Sequence, residues 1–402
     1  MASIFPAEIV HEFILHINED NERKKTLLSC SLVSQTWCAI ARPYLYSQVV
    51  LIIHYDPEEA ESLPAVLSSS PHLRTCVRHL LISLLTSPAT PSPPPLDPLP
   101  SLRSLQIDAG FEGLSVMGQE FMTTIHPVLS SRVLTSLALS DVMDVPVQLL
   151  RQCVALEKLS MRRVMFITSK SEEENSVTSC QPEQRPFLKS LVLSARHGVD
   201  SIILKTFLSA LSPFNLSQLE TFMGLDRSNA IRSYEDHCKF ISHVSNTLKN
   251  VHIDPPVSCL RDPLVLLKPH ELQKISRITL AIIQRPASDL NAVPWAIAFL
   301  SGIPRPETLR SLTLLCDLDG HADNDFTFHS RGWSELDTLL NRFHNLQRVD
   351  LTFYNEYNDD VAKKTRVLDS VTASDVNWSR HTCCWIFLRV WLHEEPGGTV
   401  EH

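Results

Sequence analysis

The sequence predicts an α/β protein in which a small N-terminal helical module precedes a larger region of alternating short parallel strands and helices. Two observations favour this fold class. Apolar residues recur at helical spacing in residues 5–51, and a short apolar unit with the pattern Leu-x-x-Leu-x-Leu recurs through much of the remaining chain. A length of 402 residues also exceeds the usual size of one domain, which favours a small module joined to a large one.

The N-terminal stretch has its own helix signals. It contains three apolar blocks, at 9–17, 27–33 and 37–45. Pro6 stands where a first-turn proline is tolerated, and Glu8 is favourable at the positive end of the helix dipole. Thr26 and Ser34 are candidate N-caps for the helices that follow. The stretch is therefore predicted to form three short helices.

The order and spacing of these residues resemble the F-box, a helical motif. The residues that carry the resemblance are Phe5-Pro6-Ala7-Glu8-Ile9, Thr26-Leu27, Cys30-Ser31-Leu32-Val33-Ser34 with Trp37, Ala41-Arg42 and Leu45-Tyr46. Phe5 replaces the leucine that is usual in the family, and the loop between the first two helices is long and charged. An ordinary three-helix element capping a larger domain is the alternative.

The resemblance implies a partner for this module. F-boxes dock on the small adaptor subunit that links them to the cullin scaffold of a cullin–RING ubiquitin ligase. The residues expected in the motif's core or docking surface are Phe5, Pro6, Glu8, Ile9, Ile14, Leu28, Val33 and Trp37. Trp37 is expected to serve mainly in the core, as large aromatic side chains often do.

After a first strand predicted at 48–55, the apolar unit recurs with a period typical of solenoids. Its copies start at Val77, Leu102, Leu134, Leu156, Leu188, Leu248, Ile275, Leu309 and Leu346, with a degraded copy at Leu219. Neighbouring starts are separated by about 22 to 37 residues. Helix-compatible stretches lie between them, at 121–129, 147–153, 202–211, 234–244, 295–300 and 333–343. Strands and helices alternating at this period would stack a parallel sheet on one face and helices on the other.

This region resembles an irregular leucine-rich repeat of the kind found behind F-boxes. Regular repeats place Asn or Cys after each strand, where the side chain satisfies backbone groups of the turn. The corresponding positions here hold Gly110, Val142, Val164, Arg196 and Asp317, so that ladder is missing. An ordinary α/β sheet protein with leucine-rich strands is the alternative.

The predicted domains are an F-box-like module at 1–51, a repeat-like domain at 52–356 and a C-terminal cap or poorly ordered tail at 357–402. Within the second, successive prolines predict a surface loop at 86–98, and polar, acidic composition predicts another at 168–185. Near the C-terminus, the apolar run 383–392 is interpreted as a strand or a helix capping the last repeat.

No catalytic constellation stands out, so the sequence predicts no enzyme, no cofactor and no metal site. Glycine-flanked serine elbows, phosphate loops and dinucleotide fingerprints are lacking. The adjacent pair Cys383 and Cys384 suits one tetrahedral zinc poorly, and the carboxylates at 317–325 lack the spacing of a calcium loop. A net charge of −9 gives no general attraction to nucleic acid or membrane, and we expect neither as a partner. Without a visible secretory signal, we expect a cytoplasmic or nuclear protein.

The sequence therefore predicts a substrate-recognition adaptor that binds an unknown protein substrate through its repeats. Positions alternating with the buried leucines are expected to be exposed and to line the substrate face: Gln106, Ser160, His252, Thr313 and Asp350, together with the cations Arg103, Lys158, Lys189, Lys249, Arg310 and Arg348. These cations, one or two positions after the first apolar residue of a unit, hint at an acidic or phosphorylated ligand. A non-ligase scaffold and an enzyme with an unrecognised site are the alternatives.

Overall fold

A computed structural model describes much of the chain, in two compact units. The described residues are 5–17, 23–53, 62–84, 99–110, 125–167, 185–194, 200–210, 212–224, 231–254, 268–283, 292–317, 332–355 and 385–392. The first unit comprises Met1–Leu188 with Pro213–Asn215, and the second comprises Lys189–Ser212 with Leu216–His402. The structure is α/β with a large parallel sheet, as the sequence predicts at this coarser level.

The first unit begins with three helices and continues into parallel strands. The helices are α1 (Ala7–Leu15), α2 (Arg23–Ser31) and α3 (Gln35–Leu45). The later elements are β1 (Gln48–Ile53), α4 (Ser62–Ser69), α5 (Pro71–Arg74), β2 (His79–Leu84), β3 (Ser104–Asp108), β4 (Ser136–Ser140), β5 (Val145–Pro146), α6 (Val147–Arg151), β6 (Lys158–Arg162) and β7 (Phe166–Ile167). Strands β1, β2, β3, β4 and β6 pair in that order, while β5 pairs with β7.

The second unit repeats the alternation of strand and helix. Its elements are β8 (Ser190–Ser194), α7 (Asp200–Leu208), β9 (Thr221–Gly224), α8 (Ile231–Val244), β10 (Asn250–Ile253), β11 (Arg277–Ile283), α9 (Val293–Ser301), β12 (Ser311–Asp317), α10 (Trp333–Leu340), β13 (Arg348–Asn355) and β14 (Trp385–Leu392). Strands β8 to β14 pair in chain order, and every pair is parallel. Helix α7 packs against α8, and α9 packs against α10.

The strand register aligns the apolar residues of successive Leu-x-x-Leu-x-Leu repeats. The first apolar residue of every predicted repeat, from Val77 to Leu346, is buried. The second apolar residue of each repeat is also buried, and these residues align across the strands. They are Leu80, Leu105, Leu137 and Leu159 in the first compact unit, and Leu191, Phe222, Val251, Ile278, Leu312 and Val349 in the second compact unit. Because side chains alternate across a strand, the residues between them lie on the opposite face.

A backbone carbonyl connects the starts of neighbouring strands at nine places in the described residues. The carbonyl of Lys249 accepts hydrogen bonds from the N–H groups of both Ser276 and Arg277, at 2.7 and 2.9 Å. The carbonyl of Arg310 does the same for Gln347 and Arg348. The same arrangement recurs at Ser47, Arg78, Arg103, Thr135, Lys189, Glu220 and Ser276. At these positions a backbone carbonyl satisfies two backbone donors of the next strand start, and the hydroxyls of Thr135 and Ser276 donate to the same carbonyls.

Two turns in the first unit show how the chain manages without an asparagine ladder. Asp141 and Arg163 follow β4 and β6 with left-handed backbones, at φ of 56° and 53°. The Arg163 Nε lies 2.5 Å from Asp141 Oδ1. The backbone N–H of Asp141 donates to the carbonyl of Arg162, and the valines that follow, Val142 and Val164, are buried. Backbone hydrogen bonds and one ion pair thus hold these two turns.

The degraded unit at Leu219 also has a structural explanation. Its third apolar position is Gly224, where an added Cβ would lie 2.8 Å from the ring of His237 on α8. Phe222, at the second position, packs against Phe240 of the same helix with ring centroids 4.9 Å apart. Helix α8 therefore occupies the space that a third apolar side chain fills elsewhere.

Several sequence expectations can be compared with the observed elements. The helices predicted between strands correspond to α6, α7, α8, α9 and α10, and residues 125–129 are also helical. The apolar run near the C-terminus forms β14, which pairs with β13, so the strand interpretation is the one observed. Several features singled out in the sequence lie outside the described residues. They are the proline-rich segment, nearly all of the acidic segment, the cysteine pair, and most of the carboxylates considered for metal binding.

Candidate functional site

The three N-terminal helices pack around a core of their own. Val10 and Ile14 of α1 are buried against Leu27 and Cys30 of α2 and Ala41 of α3. The partly buried side chains around this core are Ile17, Trp37, Ile40, Tyr44 and Leu45. The module therefore has a complete apolar centre, small as it is.

Specific contacts fix the angle between α1 and α3. The rings of Phe13 and Trp37 meet edge to face with centroids 5.7 Å apart. The Tyr44 hydroxyl and His11 Nε2 are 3.0 Å apart and share a hydrogen bond. At the start of α3, Ser34 accepts a hydrogen bond from the backbone N–H of Trp37, which confirms its N-cap prediction. The prediction for Thr26 was wrong, because Thr26 lies within α2.

A second group of apolar side chains on the module faces solvent. We define the exposed apolar set as Phe5, Ile9, Phe13, Leu28, Leu32 and Val33. Leu32 is 86% exposed, Val33 64% and Ile9 56%. Ile9 and Phe13 are four residues apart, which places them along one side of α1, and Phe5 lies just before that helix. Leu28 and Leu32 have the same spacing on α2 and the turn after it.

The predicted module residues fall into two groups. Ile14 lies in the core, and Trp37 is partly buried against it. Six others are exposed: Phe5, Pro6, Glu8, Ile9, Leu28 and Val33. Phe13 and Leu32 were missed, although their four-residue spacing from Ile9 and Leu28 would have indicated them.

On the strand faces, most predicted substrate-facing positions are accessible. Arg103, Lys158, Lys189, Lys249 and Arg310 are exposed, and Arg348 is partly exposed. Two of these cations already have acidic neighbours. The Lys249 Nζ lies 2.6 Å from Glu220 Oε1. The Arg348 guanidinium donates hydrogen bonds to both carboxylate oxygens of Asp350, at 2.6 and 2.9 Å. The cations thus differ in what they can offer a ligand.

Two predicted surface positions, His252 and Asp350, are instead buried. The guanidinium of Arg348 lies against Asp350 and shields its carboxylate from solvent. His252 lies at the same register as Met223 and Thr279 on the neighbouring strands. Burial lowers the pKa of its imidazole to about 4. The prediction of a fully exposed row at these positions was therefore wrong.

Other titratable groups with altered pKa values have structural explanations. Burial raises the pKa of the Cys153 thiol to about 12, which makes it a poor nucleophile. Burial acts to raise the pKa of Asp236, but hydrogen bonds from Ser201, Lys205 and Lys239 outweigh it and lower that pKa. Since Ser201 and Lys205 lie on α7 and Asp236 on α8, this cluster joins two helices.

The described part of the chain shows neither a metal-binding cluster nor a membrane-spanning helix. No group of three or more His, Cys, Asp or Glu side chains is placed to hold a metal ion there. None of the helices described is long and apolar enough to cross a membrane. The sequence matches no known protein-family model and no curated protein. Its exposed surfaces are therefore the remaining guide to function.

Proposed function

We propose that this chain is a substrate-recognition adaptor, docked through its F-box-like helices on a cullin–RING ubiquitin ligase. The observation that carries the proposal is the exposed apolar set on a module whose own core is already complete. Exposed apolar side chains on a module whose core is already filled favour a protein interface, because association removes them from water. In this proposal the partner is the small adaptor subunit to which F-boxes bind.

The strand-bearing region would then present a protein substrate. Its successive parallel strands, aligned by apolar rows, fit the irregular leucine-rich-repeat architecture that the sequence resembles. Such a receptor makes and breaks no covalent bond. It raises the effective concentration of a tethered substrate near the ubiquitin-charged enzyme.

Copurification with the adaptor subunit and cullin tests this proposal. Ile9 and Val33 are exposed, so the double variant Ile9→Asp/Val33→Asp should fold while placing two carboxylates in the interface. We expect at least about a hundredfold weaker adaptor binding, because burying an unpaired charge is costly. Val133→Asp/Val154→Asp is the matched control, since both valines are exposed in the first unit but outside the helical module.

The outcomes separate the alternatives. Far-UV circular dichroism and thermal unfolding should show that all variants fold. Adaptor binding that survives Ile9→Asp/Val33→Asp would refute docking through this set. Recovery of the adaptor subunit without cullin would instead favour a scaffold that does not take part in ubiquitination.

A further inference from the structure

A wide depression lies at the N-terminal ends of three neighbouring strands in the second unit. It has a volume of about 880 Å³ and is lined by β11, β12, β13 and the residues just before them. Serine and threonine side chains line it at Ser276, Thr279, Thr308, Ser311 and Thr313. The hydroxyls of Ser276 and Thr308 already donate to the carbonyls of Lys249 and Arg305, which leaves those of Thr279, Ser311 and Thr313 as candidate donors to an oxygen-rich ligand.

The charge of the depression is positive although the chain as a whole is acidic. Its cations are Lys274, Arg277, Arg310 and Arg348, against the two acids Glu307 and Asp350. Asp350 is already held by Arg348. A chain with a net charge of −9 provides no general attraction for anions, so any such attraction must be local.

Two of the arginines are available to a ligand. Arg277 and Arg310 are exposed, and neither guanidinium has an acidic partner among the described residues. Arg277 is at the same register as Ser311, the residue that directly follows Arg310. Arg277 begins β11 and Arg310 directly precedes the neighbouring strand β12, offset by one register position, and both line the one depression.

The edge of the depression shows the chemistry that these arginines offer. Arg348 holds Asp350 through two hydrogen bonds, at 2.6 and 2.9 Å, in the paired geometry that guanidinium and carboxylate groups favour. At the shared register, Arg348 lies two strands from Arg277. An acidic ligand would therefore meet two unpaired guanidinium groups beside a pair that is already satisfied.

We propose that this depression binds an Asp- or Glu-rich segment of a partner protein, with Arg277 and Arg310 each receiving a carboxylate. A volume of about 880 Å³ is far larger than one small oxyanion needs, and its polar lining is spread over three strands. An extended peptide with several carboxylates matches that spread. The inference rests on the proposed function only in treating the strand face as the partner-binding surface.

A direct binding assay on the full chain tests the inference. The probe is a fluorescein-labelled peptide of ten glutamates, with a ten-glutamine peptide as the neutral comparison. We expect the glutamate peptide alone to bind, and Arg277→Glu/Arg310→Glu to weaken that binding at least about tenfold by fluorescence anisotropy. Added salt should weaken wild-type binding, since exposed charges are screened.

The matched control is Lys24→Glu/Arg132→Glu in the first unit. Both side chains are exposed, and neither lines the depression or belongs to the predicted substrate face, so the same change of charge is made at another surface. This control should alter peptide affinity less than about twofold, because local charge decides binding. An equal loss in both double variants would show an effect of overall charge and overturn the site.

Two further outcomes would also overturn the inference. One is glutamate-peptide binding that is undetectable or unaffected by Arg277→Glu/Arg310→Glu. The other is displacement of the peptide by inorganic phosphate at equal concentration, which would indicate a site for one small anion. The assay contains no adaptor subunit, so its failure would leave the docking test of the helical module unaffected, and the reverse also holds.

Discussion

The helical module and the strand units use their apolar residues differently. In the Leu-x-x-Leu-x-Leu repeat that contains β12, the three apolar positions Leu309, Leu312 and Leu314 are all buried. In the module, Ile14 is buried while Ile9 and Leu32 are exposed. The repeat that contains β12 thus buries its apolar side chains in internal packing, whereas the module leaves several of its apolar side chains exposed to solvent. In the proposed docking, the exposed apolar side chains of the module serve association, whereas those buried in the strand region serve stability.

The same substitution in both regions should produce the largest contrast. Leu312→Ala removes a fully buried side chain from the centre of the second unit and should lower the free energy of unfolding by about 4 kcal/mol. Leu32→Ala removes a side chain that is 86% exposed and should change it by less than about 0.5 kcal/mol. Urea unfolding followed by far-UV circular dichroism measures both.

Binding to the proposed adaptor subunit provides a second measurement of the difference between the two regions. Leu32→Ala should weaken binding to the adaptor subunit while leaving stability nearly unchanged. A large loss of stability in Leu32→Ala would show that this leucine supports the fold, and the division between the two regions would fail.

A smaller effect is expected where the repeat pattern itself is broken. Gly224→Leu restores the third apolar residue of its unit but should destabilise the protein by about 3 kcal/mol, because even a Cβ would lie 2.8 Å from the His237 ring. Met161→Leu is the control: it introduces leucine at the third position of another unit without changing volume greatly, and should cost less than about 1.5 kcal/mol. A Gly224→Leu variant as stable as wild type would show that α8 can move aside.

The sequence pattern predicted the strands well because each unit contains its own signal. Three apolar residues at fixed spacing define where a strand begins and which side is buried. Gly224 and His252 were beyond that signal, since their environments depend on α8 and on neighbouring strands that are distant in sequence. The same holds for the Asp141–Arg163 pair, whose members belong to different units. In the module, helical spacing predicted the core at Ile14, but a pattern of apolar residues alone could not separate buried from exposed positions completely.

His252 gives the smallest of the three stability effects and one that depends on pH. Burial lowers the pKa of the folded imidazole to about 4, below the value of about 6.5 for an unfolded chain. Between these two values the unfolded chain binds a proton that the folded chain does not. Stability therefore falls as the pH drops from about 6.5 towards 4, and this contribution is absent above that window. At pH 5 the penalty from His252 should be about 2 kcal/mol.

Replacing the imidazole should remove that penalty. His252→Leu should be about 2 kcal/mol more favourable, relative to wild type, at pH 5 than at pH 7.5. The measurement is the difference in unfolding free energy between variant and wild type, from urea titrations at the two pH values. His79→Leu, which removes an exposed histidine from β2, controls for the change of residue type. A difference for His252→Leu that does not change with pH would mean that water reaches the ring, and the strand face at β10 would then be as open as the alternation of residues first predicted.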